Sequence, residues 1–318
     1  MKIVVLDGYT LNPGDNPWDE LAQLGELTVY DRTPAEQVVA RAGEAEIVLT
    51  NKTLLTAATL AQLPRLRFVA VLATGYNVVD VVAARARGIP VSNVPEYGTD
   101  SVAQHVFALL LELCHHVGLH DAAVQAGEWT RASDFCFWKS TPIELAGLTM
   151  GIVGLGRIGG RVGALAHAFE MKVLAAGGTR REDPGYRPFA WTEIPHLFAA
   201  ADVISLHCPL TADNAGFVNR DLLRHVKPSA FFINVARGGL VDEAALADAL
   251  NAGQLAGAAV DVVSAEPMRA DNPLLAARHC IITPHIAWAS LAARRRLMAA
   301  TLKNVGAFLA GRPINVVN

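Results

Sequence analysis

The sequence predicts an α/β protein built from two doubly wound parallel sheets, each in a domain of its own. Short, continuously apolar strands alternate with amphipathic helical segments along the 318 residues. Such alternation is typical of parallel sheets that helices cover on both faces. The chain length and the apolar content of 52% are sufficient for two packed cores.

The first domain is predicted from strands and helices in the first hundred residues. Each strand is short and largely apolar, and each helical segment carries apolar residues on one face. The predicted strands are Ile3–Leu6, Leu27–Tyr30, Ile47–Leu49, Phe68–Leu72 and Pro90–Asn93. The predicted helices are Trp18–Leu24, Pro34–Arg41, Ala57–Leu63 and Val78–Arg87.

The second domain begins with a long helix predicted from Thr99 to about Val117, and the irregular segment Asp121–Leu145 follows. A last helix, Ser290–Ala310, carries the chain back to the first domain. Between them lies a second series of strands, predicted near residues 149–153, 172–176, 202–206, 230–234, 256–260 and 280–282.

The position of a glycine-rich motif near residue 150 indicates how the domains are arranged. An ordinary N-terminal Rossmann domain carries this motif about ten residues from its start, so another domain must come first. We expect a discontinuous, flavodoxin-like substrate domain of residues 1–98 and 289–318. A Rossmann domain of residues 99–288 is inserted within it. Small ligands usually bind in clefts, so we expect the active site between the two domains.

The charge balance and the apolar pattern exclude several classes of protein. A net charge of −3, with no basic stripe, argues against a nucleic-acid partner. No apolar run of about 18 residues marks a membrane span. Met1–Asp7 has the pattern of a strand rather than of a secretory signal. We therefore expect a cytoplasmic protein without a membrane partner. The four cysteines are widely spaced and are predicted to be reduced and mostly buried.

The glycine-rich motif predicts a dinucleotide site, because an apolar strand runs into it and a helical pattern follows. Gly154 permits a tight turn, Gly156 lets the backbone approach a pyrophosphate, and Gly159 lets the helix pack closely. The positive N-terminal end of that helix faces the phosphates. Arg157 and Ile158, inside the motif, are predicted to bind the cofactor with the glycines. The alternative is a glycine turn with a structural role only.

The residues after the second strand of this domain predict which cofactor is preferred. An acidic residue, which would bind the adenosine ribose hydroxyls, is expected there in an NAD site. This chain has Gly177 instead, followed closely by Thr179, Arg180 and Arg181. Guanidinium groups suit the oxygens of a 2′-phosphate, so we expect NADP(H) to be preferred, with NAD(H) possible. Ordinary solvated loop charges are the alternative.

Three residues that follow late strands form a predicted catalytic set. Arg237 comes after an apolar strand and precedes two glycines, where its guanidinium can bind an oxo acid through two hydrogen bonds. Reduction of a ketone also needs a proton, and His285 is the predicted donor because histidine titrates near neutral pH. A carboxylate from Glu266 would fix the histidine tautomer. Taken singly, each residue also has an ordinary structural explanation.

With these motifs in order, nearly the whole chain resembles the D-2-hydroxyacid dehydrogenase family, whose members reduce 2-oxo acids stereospecifically. The resemblance rests on Ala73–Asp80, Gly151–Gly159, His207–Thr211, Asn234–Glu243, Asp261–Pro267 and Thr283–Ile286. It implies that Arg237, Glu266 and His285 are catalytic. It also implies that the backbone amides of Thr74 and Gly75 bind the substrate carboxylate, as a small anion-binding nest.

The same resemblance implies further roles in cofactor binding. Asp261 would orient the nicotinamide carboxamide, while His207, Pro209 and Ala236 would line the cofactor site. His285 would also contact the cofactor. The remaining partner would be a small 2-oxo or 2-hydroxy acid.

Two segments resemble the branch of the family that contains glycerate dehydrogenases and glyoxylate or hydroxypyruvate reductases. These are Asp134–Lys139 and Thr283–Ser290. Trp288 would restrict the pocket to a short acid such as glyoxylate or hydroxypyruvate. The resemblance further implies a homodimer formed through an arm of residues 119–146, whose aromatic side chains suit an interface. An internal hydrophobic cluster is the alternative for these aromatics.

Rival functions remain open at this point. A reductase of larger 2-oxo acids or a phosphite-type dehydrogenase would share the fold, and so would a non-enzymatic corepressor that senses NAD(P). Glu266 argues against a formate dehydrogenase, in which glutamine is typical at this place. A metal site at His115, His116 and His120 is not expected, because only Asp121 follows at ligand spacing.

Overall fold

The computed structural model describes residues 1–178 and 182–318. These residues form two compact units, one of Met1–Gly98 with Trp288–Asn318 and one of Thr99–Ala287. The boundary after Gly98 is the one expected from the sequence, and the boundary before Trp288 falls one residue earlier than expected.

The first unit contains a parallel sheet of five strands in the described residues, in the order β2-β1-β3-β4-β5. This order is that of flavodoxin-like sheets. The strands are β1 Lys2–Val5, β2 Glu26–Val29, β3 Ile47–Thr50, β4 Phe68–Val71 and β5 Val91–Ser92. The helices are α1 Asp19–Ala22, α2 Val38–Ala42, α3 Ala57–Ala61, α4 Val81–Ala86 and, at the end of the chain, α11 Leu291–Leu309.

Two apolar clusters cover the two faces of this sheet. Alternate residues of β1 point to opposite faces, so Val4 joins one cluster while Ile3 and Val5 join the other. The last helix, α11, supplies Leu297 and Val305 to the second cluster. The final helix predicted from the sequence therefore completes the first unit.

The second unit contains a parallel sheet of seven strands among the described residues, in the order β12-β11-β10-β9-β6-β7-β8. The strand order reverses between β6 and β9, as in Rossmann domains. The strands are β6 Thr149–Val153, β7 Lys172–Ala176, β8 Phe189–Trp191, β9 Val203–Leu206, β10 Phe231–Asn234, β11 Gly257–Val260 and β12 Cys280–Ile282. The helices are α5 Thr99–His115, α6 Val117–Gln125, α7 Arg157–Ala168, α8 Ile194–Ala200, α9 Arg220–Leu223 and α10 Glu243–Asn251.

Two details of the second unit differ from the sequence prediction. The long helix does not continue to Val117, because His116 adopts a left-handed conformation (φ 47°) and a second helix starts after it. That second helix extends to Gln125, into the segment predicted to be irregular. The edge strand Phe189–Trp191 was not predicted, since a run of three residues carries little periodic signal.

The prediction that the cysteines are mostly buried is confirmed for Cys114 and in part for Cys208 and Cys280, but it is wrong for Cys136. Cys114, on α5, is buried, but Cys208 and Cys280 are partly exposed and Cys136 is exposed. Cys280 lies on an edge strand, and Cys208 lies on a loop after β9, so neither is enclosed by the core. All four thiols are unpaired.

The helices were also compared with the requirements of a membrane span. Within the described ranges, no single helix is both long and apolar enough to cross a membrane. The helices α5 and α6 reach the required length and composition only together, across a bend of 55°.

Candidate active site

The glycine-rich turn after β6 contains two glycines that the fold itself requires and one that it does not. Gly154 has a φ of +96°, and a Cβ there would lie 2.7 Å from the Cys208 backbone nitrogen. A Cβ on Gly159 would clash with the Gly154 carbonyl oxygen. By contrast, Gly156 has a φ of −83°, and its Cβ would meet no described atom within 4 Å. The lack of a side chain at Gly156 therefore leaves open space.

This open space fits the pyrophosphate of a dinucleotide. The helix α7 starts at Arg157, directly after Gly156, and no side chain caps its first turn. The start of a helix carries the positive end of its dipole, which favours a negatively charged group there. The turn also lies where the strand order reverses, which is where open parallel sheets bind nucleotides.

His207 and Pro209 follow β9, the neighbour of β6 in the sheet. The His207 N–H donates to the Val153 carbonyl over 2.8 Å, and its ring Nε2 lies 2.8 Å from Ser205 Oγ. Burial lowers the pKa of His207 to about 3, so the imidazole is neutral at physiological pH. The Pro209 carbonyl accepts a hydrogen bond from Asn214 Nδ2 over 2.8 Å. His207 is thus held beside the glycine-rich turn, and Pro209 follows it two residues later.

The residues predicted to select NADP are Thr179, Arg180 and Arg181, and they lie outside the described residues. Gly177 and Gly178, which precede them, have positive φ angles of 77° and 83°. The turn after β7 therefore begins with a backbone conformation that favours glycine over an acidic residue.

The three charged candidates follow three adjacent strands. Arg237 comes after β10, Glu266 after β11 and His285 after β12, and these strands are neighbours in the sheet. All three strands are parallel, so their carboxyl ends lie at one edge. Ligands of open α/β sheets bind at this edge.

A buried asparagine holds the turn that presents Arg237. Asn234 Nδ2 donates to the Arg237 carbonyl over 2.9 Å, and its Oδ1 accepts from the Ala236 N–H over 3.0 Å. The Arg237 side chain is exposed, and its Nη1 donates to the Ala236 carbonyl over 2.7 Å. A guanidinium has five N–H donors, so donors remain for an anionic ligand.

The Arg237 turn packs directly on the loop that leads to Glu266. Gly238 is buried, and a Cβ there would clash with the carbonyl group of Val263 and the backbone nitrogen of Ser264. Only glycine allows the two backbones to come this close. The positions of Arg237 and Glu266 are therefore fixed relative to each other by backbone contact.

His285 and Glu266 are hydrogen-bonded. His285 Nδ1 lies 2.7 Å from Glu266 Oε2, and 27% of the histidine side chain and 34% of the glutamate side chain are exposed. The other carboxylate oxygen, Oε1, accepts from the Val263 N–H over 3.4 Å. Because Nδ1 faces the carboxylate, Nε2 is the ring nitrogen left for a ligand.

Asp261 holds the turn that carries His285. Its Oδ1 accepts from Thr283 Oγ1 over 2.6 Å and from the Ile286 N–H over 2.9 Å, and its Oδ2 accepts from the Ala287 N–H over 2.9 Å. The Asp261 carbonyl accepts from the His285 N–H over 2.8 Å. Both carboxylate oxygens are thus used within the chain, and the side chain is 1% exposed.

The charge of Asp261 is kept despite its burial. Burial alone would raise the pKa of Asp261. Hydrogen bonds from His105, Thr283 and the backbone of Ala287 and Ile286 outweigh this effect, so the pKa is lowered. The carboxylate is therefore ionised at neutral pH and gives the turn its strongest acceptor.

The predicted carboxylate nest belongs to the first unit and follows β4. Thr74 Oγ1 donates to the Val94 carbonyl over 2.8 Å, and the Thr74 carbonyl accepts from Asn93 Nδ2 over 2.7 Å. Within the described residues, the N–H groups of Thr74 and Gly75 donate no hydrogen bond. These two amides are available to an anion.

Trp288 also belongs to the first unit. Its ring lies edge-on to Tyr97, with the ring centroids 6.2 Å apart, and it packs against the cluster that contains Leu297. The indole is partly exposed, so it has one packed side and one accessible side.

The histidines near the α5–α6 junction are used by the backbone. His120 Nδ1 lies 2.9 Å from the His116 carbonyl oxygen, and its Nε2 accepts from the Lys139 N–H over 3.0 Å. Among the described residues, no group of three or more histidine, cysteine, aspartate or glutamate side chains is arranged to hold a metal ion.

Sequence reasoning missed the residues that hold the site in place. Glu243 binds Ser264, and His105 Nε2 lies 3.2 Å from Thr283 Oγ1. A weak signal was present for Glu243, because two acids in succession at a strand–helix junction indicate a helix start. The structure confirms that start, since the carboxylate of Asp242 accepts from the Ala245 N–H.

The sequence was then compared with models of known families. The model described as "D-isomer specific 2-hydroxyacid dehydrogenase, NAD binding domain" matches residues 107–287, more than half of the chain. The chain belongs to this family. It is therefore an oxidoreductase that uses a nicotinamide dinucleotide, and the family resemblance noted in the sequence is confirmed.

Relatives match along the whole chain. Hydroxypyruvate reductase of Blautia hydrogenotrophica is 50% identical over 321 residues, which cover 100% of both chains. Glycerate dehydrogenase of Methylorubrum extorquens is 39% identical over 319 residues, with 99% of this chain and 98% of the relative covered.

Among solved structures, one similar chain is an NADPH-dependent glyoxylate/hydroxypyruvate reductase from Sinorhizobium meliloti in complex with NADP and malonate. Its TM-score is 0.84 at 30% identity, over 99% of this chain and 96% of that chain. The predicted fold class, two parallel α/β sheets in two domains, is also confirmed by such neighbours.

Proposed function

We propose that the protein reduces short 2-oxo acids, such as glyoxylate and hydroxypyruvate, to D-2-hydroxy acids, with NADPH preferred to NADH. The observation that carries this proposal is the 2.7 Å contact between His285 Nδ1 and Glu266 Oε2 at the carboxyl edge of the second sheet. Relatives named hydroxypyruvate reductase and glycerate dehydrogenase support the choice of substrate.

The protein's own residues supply binding and a proton. A bound reduced nicotinamide supplies the hydride that is added to C2 of the oxo acid. His285 then gives a proton from Nε2 to the carbonyl oxygen, while Glu266 stabilises the protonated ring and fixes its orientation. Arg237 binds the carboxylate and the carbonyl oxygen of the substrate through paired N–H donors. In the reverse direction His285 accepts the proton.

The first unit is proposed to select the substrate. The N–H groups of Thr74 and Gly75, which have no hydrogen-bond acceptor among the described residues, bind the substrate carboxylate. Trp288 limits the length of the acid that can be accepted. Its ring is held by Tyr97, so it presents a fixed surface rather than an adaptable one.

The dinucleotide is proposed to lie against the open space beside Gly156, with its phosphates at the start of α7. His207, Pro209 and Ala236 would line the site of the dinucleotide. The family resemblance implies that Asp261 orients the nicotinamide carboxamide. To do so, Asp261 would use a carboxylate oxygen that already accepts hydrogen bonds within the chain. A carboxylate has about four lone-pair sites, so a further donor can still be accepted.

An initial-rate panel tests the proposed substrate and cofactor. We expect kcat/KM for glyoxylate or hydroxypyruvate to exceed that for a branched six-carbon 2-oxo acid by about tenfold or more, because a short pocket rejects added methylenes. We also expect NADPH to give higher kcat/KM than NADH. Preference for the branched acid, or oxidation of phosphite with NADP⁺, would favour one of the rival dehydrogenases instead.

The NADPH preference is tested separately by the double substitution Arg180→Ala with Arg181→Ala. Each charge-assisted hydrogen bond contributes about 1.5–3 kcal/mol, so the Kd of NADPH should rise by more than about tenfold. The Kd of NADH, measured by the same fluorescence titration, should change little. Arg224→Ala serves as the control, because Arg224 pairs with Asp221 on the surface of α9. If the Kd rose equally for NADPH and NADH, these arginines would not bind the 2′-phosphate.

We further propose that the protein is a homodimer formed through the arm of residues 119–146. Phe135, Trp138 and Trp129 are exposed there by 89%, 65% and 52%, which is unusual for a monomer surface. Light scattering should give about twice the chain mass of 33.8 kDa. Trp138→Glu should lower this mass, whereas Leu54→Glu, at an exposed leucine of the first unit, should not. A monomeric wild type would exclude the dimer.

A further inference from the structure

A carboxylate outside the predicted catalytic set holds the loop that carries Glu266. Glu243 is the first residue of α10, and its Oε1 accepts from the Ser264 N–H over 2.6 Å. Its Oε2 accepts from the Ser264 hydroxyl over 2.7 Å and from Asn272 Nδ2 over 2.9 Å. Ser264 and Asn272 both lie in the segment between β11 and β12. One carboxylate therefore ties this segment to the start of α10 through three donors.

The same loop is fixed from a second direction by the turn that carries Arg237. Gly238 leaves no room for a Cβ against Val263 and Ser264, so the two backbones are in direct contact. Ser264 lies two residues before Glu266 in the chain. A loop that is clamped at Ser264 leaves the Glu266 backbone little freedom, and its side chain reaches His285 Nδ1.

We propose that Glu243 is a positioning residue for the reaction. It holds the 263–266 loop so that Glu266 stays within hydrogen-bond distance of His285. The inference rests on the proposed function, in which Glu266 stabilises the protonated His285. Glu243 acts through Ser264. Replacing Glu243 should therefore change the pH range over which the enzyme is active.

Glutamine cannot replace Glu243 in this role, although it has nearly the same shape. One of the two carboxylate oxygens becomes an NH2 group, which cannot accept a hydrogen bond, so either the Ser264 N–H or Asn272 Nδ2 loses its acceptor, whichever way the amide is turned. The loop then loses part of its anchor, and Glu266 no longer faces the imidazole at all times. A protonated imidazole without a facing carboxylate is less stable, so the proton is lost at a lower pH.

Of the other groups near His285, Asp261 and His105 are not held by Glu243, whereas Arg237 is coupled to the same loop. The Asp261 carbonyl accepts from the His285 N–H, and His105 Nε2 lies 3.5 Å from Asp261 Oδ1. Arg237 lies on the turn that packs on the same loop. In the described part of the chain, none of these three groups shares a hydrogen bond with Glu243. A change in the pH profile of a Glu243 variant therefore reports on Glu266 when KM for the oxo acid, which Arg237 is proposed to bind, stays near wild type.

The experiment compares the pH dependence of kcat/KM in the wild type, Glu243→Gln and Glu266→Gln, for reduction of the preferred oxo acid. Removing the facing carboxylate in Glu266→Gln should move the alkaline limb to lower pH. Glu243→Gln should move it in the same direction but less far. At a fixed pH on that limb, we expect kcat/KM to fall by about threefold in Glu243→Gln and by more in Glu266→Gln. The Kd of NADPH should stay within about twofold, since the glycine-rich turn is untouched.

A second readout does not depend on turnover. The ring Cε1–H of His285 can be followed by NMR titration of the cofactor-free protein and assigned with His285→Ala. Its titration midpoint should be lower in Glu243→Gln than in the wild type. Asp248→Asn is the matched control, because Asp248 lies on the same helix but pairs with Arg220 at the surface. That variant should keep the wild-type midpoint and pH profile.

The outcomes separate this inference from the function on which it rests. If Glu266→Gln moves the limb and Glu243→Gln does not, the role of Glu243 is wrong and the proposed function stands. If Glu266→Gln leaves the limb in place, the proposed pairing of Glu266 with His285 fails. Should Glu243→Gln unfold, Ser264→Ala removes only the hydroxyl donor, and an unchanged midpoint in that variant would overturn the inference.

Discussion

The two parallel sheets offer a ligand different kinds of groups at their carboxyl edges. In the first unit the candidates are backbone amides, those of Thr74 and Gly75, and the side-chain amide of Asn93 holds their loop. In the second unit the candidates are charged side chains, which carboxylates and backbone groups hold in place. Binding by a backbone amide does not depend on the side chain of that residue, whereas proton transfer requires a particular side chain. We therefore expect substitutions to affect chemistry in the second unit and binding in the first.

The largest effect is expected from His285→Ala. Loss of a general acid costs about 10²–10⁴ in rate, so kcat should fall by that factor. The Kd of NADPH, measured by fluorescence titration, should change little. His196→Ala is a control, since His196 is exposed on α8. If His285→Ala retained full turnover, the division of roles between the two units would be wrong.

The sequence predicts the strands of the two sheets better than it predicts the contacts between site residues. Apart from β8, the strands were predicted within a few residues, because buried parallel strands are continuously apolar, and the last helix was predicted as closely. His285 and Glu266 stood out as titratable residues after strands. Their contact could not be predicted, since it depends on a φ of 55° at His285 and on the side chain of Asp261, which sequence patterns do not encode.

The supporting residues were harder to predict for a physical reason. Glu243 has the pattern of an ordinary first-turn acid, and Asn234 that of an ordinary strand end. Their roles depend on which loops the sheet brings next to them. The break at His116 was missed as well, because a left-handed histidine in an apolar helical pattern leaves no compositional signal.

The next effect in size is expected from Asp261→Asn. Asparagine offers one acceptor oxygen, so its NH2 group would face the Ala287 N–H, and a buried donor would lose its partner. Hydrogen bonds to charged groups contribute about 1.5–3 kcal/mol, so the free energy of unfolding should fall by about that amount at neutral pH. Because the turn with His285 loosens, kcat should fall too.

The pH dependence of stability sharpens this prediction. The pKa of Asp261 is lower in the folded protein than its ordinary value of 3.8. The ionised carboxylate therefore contributes fully to the free energy of unfolding above that pH. This contribution is lost as the pH falls through the folded pKa. The stability difference between wild type and Asp261→Asn, from denaturant melts, should therefore shrink below about pH 4. Asp202→Asn is the control. Asp202 accepts hydrogen bonds from Thr149 and Lys227 and precedes β9, so it lies at the amino ends of the strands, away from His285. This variant should lower the free energy of unfolding without lowering kcat.

A smaller effect is expected from Gly156→Ala, which tests whether the second unit also binds through its backbone. The new Cβ meets no described atom within 4 Å, so stability should change by less than about 0.5 kcal/mol. The methyl group would occupy the space proposed for the pyrophosphate, so the Kd of NADPH should rise about tenfold or more. Gly160→Ala is the control, because its Cβ also meets nothing but lies inside α7. Equal Kd values for both variants would contradict the proposed cofactor position.

The smallest effect is expected from Asn93→Ala, in the first unit. The substitution removes the hydrogen bond from Asn93 Nδ2 to the Thr74 carbonyl, which is worth about 1 kcal/mol. It keeps the hydrogen bonds that the Asn93 backbone makes with Asn304 and Asn315. The loop with the two amides then becomes less ordered, so KM for the oxo acid should rise about threefold to fivefold while kcat and the Kd of NADPH stay near wild type. Gln62→Ala, which removes an exposed side-chain bond to the Ala58 carbonyl, should leave KM unchanged. A fall in kcat at constant KM would mean that the first unit contributes to the transition state itself, because uniform binding affects KM alone.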